Sequence, residues 1–286
     1  MKVTDTRAVR AAPAVASPEK PKSTRATSTA KTADAFGTTK RDPRHWWKGR
    51  PLSEGRNAHK TNTVEQFKEA MKSGSNWLEA DLRREQNPPY AIECRHDLGD
   101  ERGDNLTLAQ WLRLGVESGR GLKLDIKETQ YLPQILKELE AAHVPSERLM
   151  IPAVSSAIPE IRRRFPDATL TIGPGGGEVN GKLTDAQVDR MLAQVKKTGL
   201  PAAFVVRYDL LTDSAIKRLS ASAPVSVWND PNQAGAEAPQ RLETSLRARG
   251  VNGVIDIRKT TGKLDKAEKL VETGVGILKG KLKSIL

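Results

Sequence analysis

Eight short strand patterns, each separated from the next by a helical one, constrain this chain more than any other feature. The strand candidates are residues 56–60, 77–83, 122–127, 149–154, 169–173, 203–207, 225–228 and 253–257. Between most of them, apolar residues recur at spacings of three and four behind a threonine that suits a helix start. Thr63 precedes Phe67, Ala70 and Met71; Thr107 precedes Leu108, Trp111, Leu112 and Val116. Leu132, Ile135, Leu136 and Leu139 form a third set. Thr184 precedes Val188, Met191, Leu192 and Val195, with Gly199 as the stop, and Thr212 precedes Ile216 and Leu219. Leu242 and Leu246 form a last set, stopped by Gly250. Eight strands alternating with helices over this length predict an α/β chain folded as a (β/α)8 TIM barrel. The rival is an open doubly wound sheet, and the absence of a Gly-x-Gly-x-x-Gly turn after the first strand argues against it.

Two of the strands carry acids in a telling pattern. In Trp77-Leu78-Glu79-Ala80-Asp81-Leu82-Arg83, alternation puts Glu79 and Asp81 on one face and Leu78, Ala80 and Leu82 on the other. In Leu122-Lys123-Leu124-Asp125-Ile126-Lys127 the same rule gathers Lys123, Asp125 and Lys127. In a parallel α/β protein both faces of the sheet are normally covered, and carboxylates withdrawn from water must be paired or bind a cation. Glu79, Asp81 and Asp125 are therefore the expected metal ligands. Mg2+ (or Ca2+) is the expected ion, because both favour oxygen donors, whereas zinc favours His and Cys. An internal salt-bridge ladder through Lys123 and Lys127 is the plain alternative.

Barrel sites lie at the C-terminal ends of the strands. Applied here, that rule collects His59 after the first strand, His96 after the short segment 91–95, Arg207, Trp228 and Asp256. Histidine titrates nearest neutrality, which suits His59 and His96 to a base and an acid. His45 and His143 receive no role. The run Gly173-Pro174-Gly175-Gly176-Gly177-Glu178 is read as a phosphate cradle, a lid or a plain surface loop.

Composition narrows the setting. The formal charge is +12, and residues 1–45 hold ten Lys/Arg against four Asp/Glu. Residues 1–42, rich in Ala, Pro, Ser, Thr and Lys, are read as a disordered basic tail ahead of the barrel domain at 43–286. The basic balance favours anionic partners, but no nucleic-acid recognition pattern is present, so no specific nucleic-acid partner is expected. The single cysteine, Cys94, excludes an internal disulfide. No signal-peptide core and no run of about 18 apolar residues is found, so a cytoplasmic protein, or one secreted without a classical signal, is expected. The expected state is a monomer. The segment 277–283 is read either as a lipid-surface contact or as part of the barrel's closure.

These motifs together resemble the phosphatidylinositol-phospholipase-C-like phosphodiesterase superfamily, which includes glycerophosphodiester phosphodiesterases and sphingomyelinase-D-type phospholipases, with menorin-like proteins as the nearest likeness. The similar stretches are Ala58-His59-Lys60-Thr61-Asn62, Leu78-Glu79-Ala80-Asp81, Asp104 to Leu112, Gly121 to Lys127, Phe165 to Leu170, Phe204 to Arg207, Val225 to Trp228 and Val254 to Ile257. The resemblance implies a metal-dependent phosphodiesterase with a glycerophosphodiester or (lyso)phospholipid substrate and a phospholipase-D-like route through a cyclic phosphate. It implies His59 and His96 as the catalytic pair, Lys127 near the phosphate and Asn62 as an active-site polar residue. Lys123, Arg207 and Trp228 complete the expected substrate contacts, and a peripheral contact with an anionic membrane goes with a lipid substrate. Two departures matter. Lys60-Thr61 replaces the Arg-Gly that commonly follows the first histidine in glycerophosphodiesterases. His96-Asp97-Leu98 replaces the His-Pro-Pro typical of menorin-like proteins, which likens this chain to the active hydrolases. A non-catalytic barrel that binds an anionic ligand is the alternative.

Overall fold

The computed structural model describes residues 49–98, 103–175, 181–230 and 238–258. The basic tail, His45, Gly176 to Glu178 and the segment 277–283 lie outside the described residues.

The strands are β1 Asn57–Ala58, β2 Trp77–Arg84, β3 Ile92–Cys94, β4 Gly121–Ile126, β5 Leu149–Pro152, β6 Thr169–Ile172, β7 Ala202–Arg207, β8 Val225–Trp228 and β9 Ile255–Asp256. The described helices are α1 Val64–Lys72, α2 Leu108–Ser118, α3 Leu132–Ala141, α4 Ile158–Arg164, α5 Asp185–Thr198, α6 Asp213–Ser220 and α7 Pro239–Ala248. Neighbours run β1-β2-β4-β5-β6-β7-β8-β9, and every one of those pairings is parallel. Parallel neighbours require a crossover, and α1 to α7 supply it between successive members. Asn57 on β1 and Asp256 on β9 meet through a 3.0 Å hydrogen bond between side chains, so the first and last strands come together and the sheet is a nearly closed (β/α)8 barrel.

Local chemistry sets the helix starts. Thr63, Thr107 and Thr184 each accept from the backbone three residues on, and Gln66, Gln110 and Gln187 reach back to cap the threonine's own N–H. Thr212 caps α6 through its side chain alone. α4 is a helix that the apolar spacing does not predict: it has only Ile158 and Ile161 in the core, no capping hydroxyl, and three consecutive arginines. Met71, expected on the buried face of α1, is 39% exposed, because a nine-residue helix buries only Phe67 and Ala70. The segment at 91–95 forms β3, which pairs antiparallel with the end of β2, Leu82 opposite Cys94.

Alternation divides the two faces of each strand. Leu78, Ala80, Leu82, Leu122 and Leu124 pack outward against Trp111, Leu112, Ile135 and Leu136 of the helices. Inward, Leu52, Trp77, Met150, Ala203 and Val254 form an apolar floor. Trp77 lies across Gly121, its partner in register, where an added Cβ would stand 2.4 Å from the indole. Gly121 is therefore the residue that lets the floor close. Above that floor the interior turns polar, one strand step at a time.

Candidate active site at the barrel mouth

The first polar layer is a cross-strand pair, Glu79 on β2 beside Lys123 on β4. Lys123 Nζ lies 2.9 Å from Glu79 Oε2. The same oxygen accepts a hydrogen bond from Asn57 Nδ2, which also reaches Asp256. Glu79 is 2% exposed. Burial alone would raise its pKa, but Lys123, with His59 next to it, outweighs that and holds the carboxyl well below the usual range. Burial likewise opposes the charge on Lys123, yet Glu79 and Asp256 raise its pKa above that of a free lysine.

The second layer places two acids directly opposite each other, Asp81 on β2 and Asp125 on β4. Like charges in that position repel, so the layer needs a cation between them. Lys127 Nζ supplies one, 2.9 Å from Asp81 Oδ1 and 2.6 Å from Asp125 Oδ2. The other oxygen of Asp81 accepts from Asn62 Nδ2 at 2.9 Å, while the Asp81 N–H donates to Asn62 Oδ1 at 3.1 Å. Burial would push the Asp81 carboxyl up; Lys127 and Asn62 bring it below its ordinary value. The Lys127 pKa is raised in turn, burial being offset by Asp125 and Asp81.

The two histidines line the same cavity of about 500 Å3, together with Glu79, Lys123, Asp125, Lys127, Trp228, Asp230, Asp256 and Arg258. His59 follows β1, and Lys60 takes a left-handed φ of 56°, which costs energy in a non-glycine residue. The turn is fixed by Thr61, whose N–H and hydroxyl both donate to Glu79 O at 2.7 and 2.8 Å, and whose oxygen accepts from the Trp111 indole. As a result His59 Nδ1 lies 3.2 Å from Glu79 Oε2 and 3.7 Å from Asp256 Oδ2. The first contact is close but outside hydrogen-bond geometry. The arrangement turns Nδ1 to the acids and leaves Nε2 for other partners. His96 follows β3, and its Nδ1 pairs with Asp97 Oδ1 at 2.7 Å. That contact lowers the Asp97 carboxyl below its ordinary value.

All three expected metal ligands converge. Glu79, Asp81 and Asp125 each offer an oxygen within 4.8 Å of the others, and His59, Glu79 and Asp256 form a second such group. Two of the expected substrate contacts fall elsewhere. Asn62 stands behind the acids, its amide taken up by Asp81, and it is absent from the cavity wall. Arg207 does not line the cavity either; its guanidinium grips Asp209 at 2.7 and 3.1 Å. Lys123 and Trp228 do line it, with Trp228 36% exposed at the rim. Asp230 is a cavity residue that motif reading missed, and Asn57 and Asp256 were seen only as strand-end residues. Asn57 lies two residues before His59, where strand alternation would have placed it on the same face.

The acid set suits a hard divalent cation. Around the cavity Glu79, Asp125, Asp230 and Asp256, with buried Asp81 beside them, face Lys60, Lys123, Lys127 and Arg258, and Asp125 is 40% exposed at the mouth. The donors around Asp81 and Asp125 are all oxygens, the set that Mg2+ and Ca2+ prefer. In the group around His59, Asn57 Nδ2 bridges Glu79 and Asp256, as Lys127 Nζ bridges Asp81 and Asp125 in the other. A groove of about 690 Å3 between α1 and the segment before α2, lined by Lys68, Asp104 and Gln110, has no comparable convergence of buried charge.

Residues 53–244 match the family model described as the Menorin N-terminal domain. No curated protein matches the chain. Among solved structures, a glycerophosphodiester phosphodiesterase from Parabacteroides distasonis is 16% identical, over 82% of this chain and 96% of that one, with a TM-score of 0.47. A glycerophosphodiester phosphodiesterase from Agrobacterium tumefaciens is 10% identical over 70% and 91%, with a TM-score of 0.45. A dihydropteroate synthase from Anaplasma phagocytophilum is 12% identical over 71% and 91%, with a TM-score of 0.42.

Proposed function

This chain belongs to the Menorin N-terminal domain family, and we propose that it is a metal-dependent phosphodiesterase that cleaves a glycerophosphodiester or a lysophospholipid headgroup by histidine acid-base catalysis. The observation that carries the reading is the barrel mouth itself: Glu79, Asp125, two lysines and two histidines line one cavity large enough for such a diester, with Asp81 buried within 4.8 Å of the other two acids.

Glu79, Asp81 and Asp125 would hold Mg2+ or Ca2+, which when bound supplies positive charge against the phosphoryl oxygens. Lys127 and Lys123 add to that field from the cavity wall. His59, with Nδ1 set against Glu79 and Asp256, takes the proton of a substrate hydroxyl at Nε2. That oxygen forms a bond to phosphorus as the bond from phosphorus to the leaving alcohol breaks. His96, held by Asp97, gives its proton to the departing oxygen. The products are a cyclic phosphodiester and an alcohol, and both transferred protons are accounted for. Hydrolysis of the ring would be the same chemistry with water as nucleophile. Asn62 acts here through Asp81, as a positioning residue rather than a substrate contact.

Replacing His59 or His96 by alanine should lower turnover of glycerophosphodiesters and lysophospholipids by about 10²–10⁴-fold. An undiminished His59→Ala enzyme would end this mechanism. A second reading has one observation in its favour: Lys123 and Lys127 already pair with Glu79, Asp81 and Asp125, so the barrel could bind a phosphate-bearing ligand without turning it over. Calorimetry separates the two, because tight binding of glycerol phosphate with no turnover of any diester selects the binding module.

A further inference from the structure

Arg95 is 1% exposed, and a guanidinium so deeply buried is destabilising unless its donors are met. Nη1 donates to the carbonyls of Asp97 and Leu98 at 3.0 and 2.8 Å, and Nη2 to that of Arg84 at 3.2 Å. Nε lies 3.3 Å from Glu93 Oε2. The Arg95 N–H donates to the carbonyl of Asp81 at 2.7 Å. From β2, Arg83 Nε donates to the carbonyl of His96 at 2.8 Å. Three consecutive carbonyls, those of His96, Asp97 and Leu98, are thus held by two arginines.

We propose that Arg95, with Arg83 as a second point of attachment, positions the His96-Asp97 loop over the cavity and ties it to the strand that carries Asp81. Two other arginines serve as a contrast. Arg148 donates to the carbonyls of Gly115, Val116 and Arg120 at the end of α2, and Arg162 to those of Thr198, Gly199 and Pro201 after α5. Their carbonyls belong to segments without a site residue. Two of those held by Arg95, on Asp97 and Leu98, belong to the loop that carries the proposed acid, and the third, on Arg84, belongs to β2. A lysine at position 95 keeps the charge but has no fork, so it cannot meet Asp97, Leu98 and Arg84 together.

The inference rests on His96 as the proton donor, and the test is built so that the two can fail separately. Two glycerol phosphodiesters are compared, one with an alkyl leaving group and one with 4-nitrophenol, which departs without a proton. In Arg95→Lys, kcat on the alkyl diester should fall about 10–100-fold, while the 4-nitrophenyl diester changes by less than about 3-fold, matching the selectivity of His96→Ala. Arg83→Gln should show the same selectivity more weakly, and it covers the case in which Arg95→Lys does not fold. Arg148→Lys is the control for a general loss of stability, and should show no leaving-group selectivity. Equal losses on both diesters in Arg95→Lys and Arg83→Gln would overturn the positioning role. If His96→Ala itself lacks selectivity, the assignment of the acid has failed instead. The positioning role is then read from the imidazole NMR signals of the four histidines. In Arg95→Lys that of His96 should shift and that of His59 should not; an unmoved His96 signal would overturn it.

Discussion

At the scale of single residues, Glu79 decides the most. It sits at 2% exposure between an ammonium, an amide and an imidazole, so its charge is tolerated only while those partners stay. Glu79→Gln leaves Lys123 in a shielded site without its main counter-charge. We expect a loss of about 3 kcal/mol in urea unfolding, of which Glu79→Gln/Lys123→Met should recover part. The sign of the pH effect follows from the shifts. The Glu79 and Asp81 carboxyls are lowered by folding, so their contribution is complete above the ordinary carboxyl values of 4.5 and 3.8 and drains away as pH falls through the lower folded values. The Lys123 and Lys127 values are raised from 10.5, so their contribution is complete below that value and is lost as pH rises through the folded values. Stability should be flat across neutrality and fall on the acid side, and Glu79→Gln should flatten that acid fall. Lys127 makes a separate prediction. Its ammonium holds the same oxygens of Asp81 and Asp125 that a cation would need. Lys127→Met should therefore bind Mg2+ or Ca2+ about tenfold more tightly by calorimetry, while turnover drops. Weaker cation binding in that variant would show that Lys127 does not compete for the acids.

At the scale of elements, β2 is the spine. Its outward residues anchor the core against α2 and α3, its inward residues supply the floor and two acids, and its far end pairs with β3 to carry His96. Much of this was legible, because strand alternation and the strand-end rule need only local sequence. What was not legible depends on contacts between distant or weakly patterned segments. Asn57 and Asp256 are 199 residues apart and meet only when the barrel closes. The resemblance makes Asn62 an active-site polar residue, and only its reciprocal bonds to Asp81 show that its amide is already engaged. Arg207 reads as a phosphate ligand until Asp209, two residues on, captures it. α4 escaped because two isoleucines make too short an apolar stripe. The helix ends owe much to buried arginines that no periodicity reveals. Arg148→Met strips the carbonyls at the end of α2 of their donors and should cost about 2 kcal/mol or more, measured as a lower urea midpoint. An unchanged midpoint would mean that water replaces the guanidinium at no cost.

At the scale of the molecule, the barrel stacks its chemistry vertically: an apolar floor, a carboxylate-ammonium layer with His59 against it, a like-charged aspartate layer bridged by Lys127, then a rim with His96 and Trp228. Closure of the sheet is what brings those layers to one cavity, since its walls draw on residues from His59 to Arg258. No described helix is long and apolar enough to cross a membrane. A ³¹P NMR time course of glycerophosphodiesters and lysophospholipids, run with Mg2+, with EDTA, and with Mg2+ restored, tests the central claim most directly. The account predicts a cyclic or open phosphate product with Mg2+, none with EDTA, and recovery when the ion returns. Turnover that continues unchanged in EDTA, or no product from any diester with the ion present, would contradict it.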